Sequence, residues 1–338
     1  MRKPSTYKVN APLISVVIIA YNRKEFITEA INSVLNQNLK REKFEIIVIK
    51  NFVDEKIDEF IRNKGIRLVN SPDISISGKI IQGVKLSHAE VVSFMEDDDL
   101  FLPNKLEHVF EKFSSNPRII FMHNNLTALK DGITFQRKLG QDVLVNTESV
   151  SVKTISKLID LGLAQNISSF SVRRERLMPI LEYLDGTSLA VDYLLFFISC
   201  LPDGELLLSD EILTIWRIHE SATHFKVKDR LEYVARKMDH ISKLVGDFNS
   251  FATHIKSGPL KSYIEINLSM LRVQQFLFSK DIDISVRDFF NSLKFAFSKY
   301  SLKKKTMIII GTFLMIPFNI ITSKASNIIY LMARAGIV

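Results

Sequence analysis

Short runs of β-branched, apolar residues alternate with helical segments through the first third of the chain, and this alternation restricts the fold most. The helix between the first two runs shows one apolar face from Phe26 to Leu35. Strands that alternate with helices build βαβ units and a parallel sheet. We therefore predict an α/β fold with a mostly parallel sheet flanked by helices. The predicted strands are Ile14–Ala20, Phe44–Ile49, Ile66–Val69, Val91–Met95 and Arg118–Met122.

The pattern is less regular after residue 123 and all-helical after residue 228. Helices are predicted near Val152–Leu161 and Leu189–Cys200, and a strand at Ile212–Arg217. Further on, apolar residues at helical spacing predict one helix from about Lys228 and a second over about Leu260–Phe278. A helical region therefore follows the α/β part. Cys200 is the single cysteine in 338 residues, which excludes a disulfide framework and a cysteine-rich zinc site.

Positive charge is concentrated in the C-terminal third. Residues 224–338 hold 18 Lys and Arg against 8 Asp and Glu, whereas the earlier residues are close to balance. Lys303–Lys305 precede the uncharged, 18-residue run Thr306–Ser323, which is short for a membrane span. We expect residues 301–338 to associate with a membrane, as a span or as an in-plane anchor. The alternative is burial of the run between copies of the chain.

The sequence argues against a nucleic-acid partner and against secretion. The basic segment contains no module that reads nucleic-acid grooves or stacks bases, so a nucleic-acid partner is not expected. The first dozen residues lack the apolar region of a secretory signal. We therefore expect the protein at the cytoplasmic face of the cell membrane.

Four consecutive acids, Glu96 to Asp99, follow the predicted strand Val91–Met95. Carboxylates crowded at the end of a buried strand repel one another and are costly to desolvate. A divalent cation relieves both effects, and oxygen ligands suit Mg²⁺ or Mn²⁺. The alternative is a solvated acidic turn that caps the next helix.

The order of these segments resembles the family 2 glycosyltransferases of the GT-A fold. The resemblance rests on PLISVVIIAYNRKEFITEAINSVLNQ, then FEIIVI, then GKIIQGVKLSHAEVVSFMEDDDLFLPNKL, and covers about residues 12–223. It implies a GT-A, Rossmann-like catalytic domain over 1–225, with a nucleotide-sugar half (12–122) and an acceptor half (123–225). A helical domain (226–300) and the membrane-associating tail (301–338) follow. The implied reaction is metal-dependent, inverting transfer of a sugar from a nucleoside diphosphate sugar to an acceptor hydroxyl, with a lipid-linked saccharide as one candidate acceptor.

The resemblance also implies the site residues. The segment from Trp216 to Ser221 resembles the Arg-x-His-x-x-Ser stretch that closes the catalytic domain in relatives, with its serine one position early. The residues implied to bind the donor are Ala20, Tyr21, Asn22, Arg23, Asn51, Lys79, Glu96, Asp97 and Arg217. Those implied to hold the metal are Asp98, Asp99 and His219. For Lys79 and His219, a solvated lysine and a loop histidine are the simpler interpretations.

Val191-Asp192 resembles the Glu-Asp pair at the start of an acceptor-side helix, where the aspartate is the general base. Inversion at an anomeric carbon needs a carboxylate that takes the proton of the acceptor hydroxyl. The apolar residues around Asp192 predict a raised pKa. The alternative is an acid favoured by the helix dipole.

Three departures from the family pattern motivate a rival interpretation. Lys50 stands where relatives carry the Asp that contacts the nucleotide base, and a lysine cannot accept a hydrogen bond. Asn51 or Asp54 would then read the base, or the donor is read differently. With Glu96 and Val191 also departing, the rival is a membrane-tethered nucleotide-sugar binding protein without turnover. A nucleotidyltransferase would need a Gly-rich loop after the first strand, which this chain lacks.

Residues 165–174 (QNISSFSVRR) are expected at the acceptor side of the site. Ser168, Ser169, Arg173 and Arg174 can meet an acceptor diphosphate there. A plain strand with a basic end is equally consistent with the sequence.

Overall fold

A computed structural model describes residues 12–73, 75–130, 133–136, 140–218 and 229–278, with a few residues between 285 and 291. Over the α/β part the elements are β1 (Ile14–Ala20), α1 (Ile27–Leu35), β2 (Phe44–Lys50), α2 (Glu55–Asn63), β3 (Arg67–Asn70), α3 (Ile76–Leu86), β4 (Val91–Glu96), β5 (Leu100–Phe101), α4 (Lys105–Ser115), β6 (Ile119–Lys130), β7 (Ile133–Gln136) and β8 (Val143–Asn146). They continue with α5 (Val152–Asp160), β9 (Phe170–Arg173), α6 (Arg174–Leu177), α7 (Val191–Ser199), β10 (Glu205–Arg217), α8 (Arg230–His254) and α9 (Pro259–Phe278).

One sheet contains the strands of the described residues, in the order β3-β2-β1-β4-β9-β6-β10-β5, with β7 on β6 and β8 on β10. The first four strands are parallel, and every residue of β1 is buried. The predicted α/β fold is confirmed. α3 packs closely on this half, because a Cβ on Gly83 would lie 2.3 Å from Cγ1 of Val17.

Beyond β4 the sheet becomes mixed. β9 runs antiparallel to both β4 and β6, while β6 and β10 are parallel to each other. The predicted strand Ile212–Arg217 is the second part of the longer β10. Its register on β6 shifts between Ser209 and Ile212, so the acidic pair Asp210-Glu211 interrupts the buried pattern. Because of that interruption, the sequence pattern did not predict the first part of β10.

The described residues divide into two compact units. The first comprises described residues among 1–150, 161–187 and 191–222, and the second comprises those among 151–160, 188–190 and 223–338. In the second unit, α8 and α9 confirm the two helices expected after residue 228. The N-cap Asp229 accepts a 2.9 Å hydrogen bond from the backbone N–H of Glu232.

Among the described helices, none combines the length and the apolar character that a membrane crossing requires. The predicted tail, residues 301–338, lies outside the described residues.

A buried ion pair lies at the C-terminal end of β2. Nζ of Lys50 lies 2.7 Å from Oδ1 of Asp58 on α2, and the two side chains are 0% and 5% exposed. Lys50 also donates a hydrogen bond to the backbone carbonyl of Phe52 and lies over the Phe52 ring. The lysine that departs from the family pattern is therefore held within the fold by α2.

We expect Asp58→Asn to lower the free energy of unfolding by about 3–5 kcal/mol, because it leaves the Lys50 ammonium buried without its counter-charge. Urea denaturation measures this loss. Glu59→Gln is the matched control, since Glu59 is an exposed neighbour on the same helix. Equal stability of the two variants would contradict a structural role for the pair.

Candidate active site

The carboxyl ends of β1, β2 and β4 bring three loops together, because these strands are parallel neighbours. Ala20 is the buried last residue of β1. The backbone N–H of Tyr21 donates to Oδ2 of Asp97 at 3.0 Å, and the backbone N–H of Asn22 donates to Oδ1 of Asn51 at 3.0 Å. Asn22 has φ 51°, a left-handed conformation that asparagine tolerates. Residues predicted to line the nucleotide therefore share one edge of the sheet.

Arg23 neutralises part of the acidic loop. Its guanidinium lies 2.6 Å from Oδ1 of Asp97 and also pairs with Asp98. Asp97 is 1% exposed, and both of its oxygens are engaged, one by Arg23 and one by Tyr21. Burial raises the pKa of Asp97 to about 6, against the opposing effect of Arg23. Asp97 thus ties the loop after β1 to the loop after β4.

The other three acids converge. Carboxylate oxygens of Glu96, Asp98 and Asp99 all lie within 4.8 Å of one another. Burial, together with the charges of Asp99, Asp192 and Asp98, raises the pKa of Glu96 well above its usual value. Burial and the charge of Asp98 raise the pKa of Asp99 to about 6. Three crowded oxygen donors fit a Mg²⁺ or Mn²⁺ ion, and a cation there would favour their charged forms.

Asp192 lies in the first turn of α7. Burial raises its pKa to about 7, with a further contribution from Asp99, while the backbone N–H of Asn166 acts in the opposite direction. The predicted rise of its pKa is confirmed. A carboxyl group that titrates near neutrality suits proton transfer better than a surface acid does.

Lys79 and Arg217, which were predicted to bind the donor, contact other residues of the chain. The Lys79 side chain is shielded from solvent; its Nζ lies 5.1 Å from the centroid of the Tyr21 ring and donates to the carbonyl of Ser75 at 3.2 Å. Arg217 donates to Glu29 at 2.7 Å, and its guanidinium carbon lies 4.4 Å from the centroid of the Phe26 ring. The backbone N–H of Arg217 donates to Oδ1 of Asp99 at 3.0 Å. Arg217 therefore contacts the acidic loop through its backbone.

The remaining predicted residues fall into two groups. His219 lies outside the described residues. Arg173 donates to the carbonyls of Ile119 and Phe113, and Arg174 donates to that of Val84. These hydrogen bonds connect the two arginines to the backbone of β6, α4 and α3.

Two residues that the sequence analysis did not single out lie beside the acids. Nδ2 of Asn166 donates to Oδ2 of Asp99 at 2.8 Å. Nζ of Lys105 is fully buried and donates to the carbonyl of Ser168 and, at 3.0 Å, to Oγ1 of Thr214. Burial holds the pKa of Lys105 well below its usual value. A lysine at the start of an amphipathic helix is normally expected to be exposed to solvent. The sequence pattern therefore did not indicate that Lys105 is buried.

Comparisons with known proteins show what the chain is similar to. The model of the glycosyl transferase family 2 matches residues 15–177. An uncharacterised glycosyltransferase of Rickettsia typhi is 26% identical over 280 residues, which cover 77% of this chain and 85% of the relative. One of Rickettsia bellii is 28% identical over 173 residues, 49% of this chain but 24% of that relative's length.

Solved structures share the fold. The Staphylococcus aureus protein TarS, residues 1–349 in complex with UDP-GlcNAc, is 13% identical with a TM-score of 0.60, over 96% of this chain and 92% of TarS 1–349. A Pyrobaculum calidifontis mannosyltransferase in complex with GDP-Man and Mn²⁺ is 14% identical with a TM-score of 0.53, over 97% and 87%. Both have the GT-A fold that the resemblance implied. Residues 15–177 are therefore similar to the family 2 glycosyltransferases, as the sequence resemblance implied, and relatives that match this chain carry the name glycosyltransferase.

Proposed function

We propose that the protein is a metal-dependent, inverting glycosyltransferase that moves a sugar from a nucleoside diphosphate sugar to an acceptor hydroxyl. One observation carries this proposal. The convergent acids Glu96, Asp98 and Asp99 lie beside the loops after β1 and β2, and the charge of Asp192 contributes to the raised pKa of Glu96. An acidic cation site and a separate carboxylate of raised pKa are the two groups that this reaction needs.

The donor would bind along the edge formed by Tyr21, Asn22 and Asn51. Because Oδ1 of Asn51 accepts from the backbone N–H of Asn22, its Nδ2 would be the group that donates to the nucleotide base. The relatives of known structure are in complex with UDP-GlcNAc or with GDP-Man and Mn²⁺, which supports a nucleotide sugar as the donor class. Lys79, beneath the Tyr21 ring, would add positive charge near the diphosphate.

Glu96, Asp98 and Asp99 would hold the divalent cation. When bound, such an ion stabilises negative charge on the departing diphosphate. Arg23 already pairs with Asp98, so its guanidinium would shift toward the donor phosphates or remain on Asp97. The chain's own residues thereby supply both the acidic ligands and a compensating positive charge.

Asp192 would act as the general base. Its carboxylate would accept the proton of the acceptor hydroxyl while that oxygen attacks the anomeric carbon from the face opposite the diphosphate. The bond from the anomeric carbon to the diphosphate oxygen breaks as the new glycosidic bond forms, which inverts the configuration. The apolar surroundings that raise the pKa of Asp192 make it a stronger base.

A panel of UDP- and GDP-sugars tests this function in two steps. A donor that binds the native protein raises its melting temperature, and we expect that rise to require Mn²⁺ or Mg²⁺. Release of nucleoside diphosphate, with an acceptor or by slow hydrolysis, then reports turnover. Stabilisation without any release would favour the binding-protein alternative. That alternative draws support from Arg23, which neutralises Asp97 and Asp98 from within the chain.

The C-terminal tail would hold the enzyme at the cytoplasmic face of a membrane, beside a lipid-linked saccharide acceptor. Lys303–Lys305 precede the uncharged run Thr306–Ser323, and each lysine near an anionic surface contributes roughly 1 kcal/mol. Exposing the apolar run to water would be costly. The helices of residues 226–300 would connect the tail to the catalytic domain of residues 1–225.

We expect the full-length protein to stay with membranes through a high-salt wash and to be released by detergent. Salt screens the lysines, because the Debye length is roughly 8 Å at physiological ionic strength, whereas insertion of the apolar run persists. Truncation after residue 300 should yield a soluble, folded catalytic part. A full-length protein that is soluble without detergent, and a truncated one that unfolds, would contradict the membrane assignment.

A further inference from the structure

A short turn, Asn166 to Ser169, lies between the acidic cluster and Asp192. The Asn166 side chain donates from Nδ2 to Oδ2 of Asp99 at 2.8 Å. The backbone N–H of the same residue lies close enough to the carboxylate of Asp192 to favour its charged form. Asn166 therefore contacts the carboxylate proposed to hold the cation and the carboxylate proposed to act as base.

The backbone of Asn166 explains how one residue contacts both acids. It has φ 59° and ψ 88°, a left-handed conformation that asparagine adopts more readily than most residues. Oγ of Ser169 donates to Oδ1 of Asn166 at 2.9 Å. Because the amide oxygen is engaged by Ser169, the NH₂ group is oriented toward Asp99. Asn166 is 8% exposed, and hydrogen bonds at both its amide oxygen and its amide nitrogen fix the orientation of the side chain.

The rest of the turn is attached to the same acidic loop. Oγ of Ser168 accepts from the backbone N–H of Glu96 at 2.9 Å, and the same side chain favours the charged form of Asp99. The carbonyl of Ser168 accepts from the buried Lys105 ammonium and, at 3.2 Å, from the hydroxyl of Thr214. The turn and the acidic loop are therefore held together by several hydrogen bonds within the buried sheet.

We propose that Asn166 is a positioning residue that sets the placement of Asp99 relative to Asp192, and so aligns the cation site with the general base. The proposal rests on the function proposed above. In-line displacement needs the leaving diphosphate and the attacking hydroxyl on opposite faces of one carbon, and small misplacement is costly in rate. Partners that orient metal ligands typically contribute 10–100-fold to metal affinity or activity.

Asn166→Gly tests the proposal directly, because glycine keeps the left-handed backbone and its N–H while removing the amide. We expect Mn²⁺ binding in the presence of UDP or GDP, measured from the free Mn²⁺ signal in electron paramagnetic resonance, to weaken about 10–100-fold. We expect kcat to fall by a similar factor, with less change in the KM of the acceptor.

Asp203→Gly is the matched control. Asp203 also has a positive φ, 87°, in the loop between α7 and β10, so the same backbone change is made away from the acids. It should leave Mn²⁺ binding and kcat at the wild-type values. Ser169→Ala is the milder variant, expected to weaken Mn²⁺ binding in the same direction because the amide loses its fixed orientation.

The outcomes separate the two proposals. Wild-type Mn²⁺ affinity and kcat in Asn166→Gly would overturn the positioning role, and so would equal losses in Asp203→Gly. If Asn166→Gly fails to fold, an unchanged Mn²⁺ affinity in Ser169→Ala overturns it instead. A wild-type protein that transfers sugar without any divalent cation would overturn the metal requirement of the proposed function.

Discussion

Asp192→Asn is expected to lower the rate of sugar transfer by about 10²–10⁴-fold, the usual contribution of a general base, while donor affinity stays nearly unchanged. The amide keeps the shape of the side chain but cannot accept the proton of the acceptor hydroxyl. Steady-state kinetics with a saturating donor measure the rate, and donor-induced thermal stabilisation measures the affinity. Asp185→Asn, on an exposed loop, is the matched control and should transfer at the wild-type rate.

The same substitution should remove a pH dependence. Because burial raises the pKa of Asp192 to about 7, its protonated form accumulates below that pH and the wild-type rate should fall there. A bound cation would lower this pKa, so the midpoint should lie at or below pH 7. A wild-type rate that rises as the pH falls, or an unchanged rate in Asp192→Asn, would remove Asp192 from the mechanism.

Asp98→Asn is expected to abolish the Mn²⁺- or Mg²⁺-dependent part of donor binding while the fold stays intact. Asp98 contributes one of the three converging carboxylates, and an amide is a much weaker ligand for a hard cation than a carboxylate. Donor titrations with and without the ion, followed by thermal stabilisation, measure the effect. Glu107→Gln on the exposed face of α4 should bind as wild type does.

Two results separate the metal assignment from simple electrostatics. If Asp98→Asn binds the donor as tightly as wild type with the ion present, the assignment is wrong. If instead the variant binds the donor more tightly without any ion, then Asp98 acts mainly as the partner of Arg23. Circular dichroism of both variants would verify that the fold is retained.

In the parallel half of the sheet, β1, β2 and β4 were predictable because each is buried on both faces and contains one continuous apolar run. The acidic loop was predictable for a related reason, since Glu96 to Asp99 directly follow such a run. The start of β10 was not predicted, because a register shift near Asp210 breaks its pattern. A run of neighbouring apolar residues predicts a strand that is buried along its whole length. It does not predict β10, whose pairing with β6 changes register part-way along the strand.

Asn166 and Lys105 mark a second limit of the sequence. Asn166 contacts an acid 67 positions away. Its left-handed backbone conformation is a feature of one residue, so no periodic sequence pattern indicates it. Lys105 is buried because Ser168 and Thr214, both distant in sequence, supply its acceptors. Such polar contacts depend on the assembled sheet, so patterns of neighbouring residues do not encode them.

The buried pair of Lys50 and Asp58 restricts how this site can evolve. Replacing Lys50 alone by an uncharged or acidic residue leaves the buried carboxylate of Asp58 without this partner. In this chain, Lys50→Asp would bury two carboxylates side by side, and Asp58 would have to change at the same time. Position 58, outside the binding edge, thereby constrains which residue position 50 can carry.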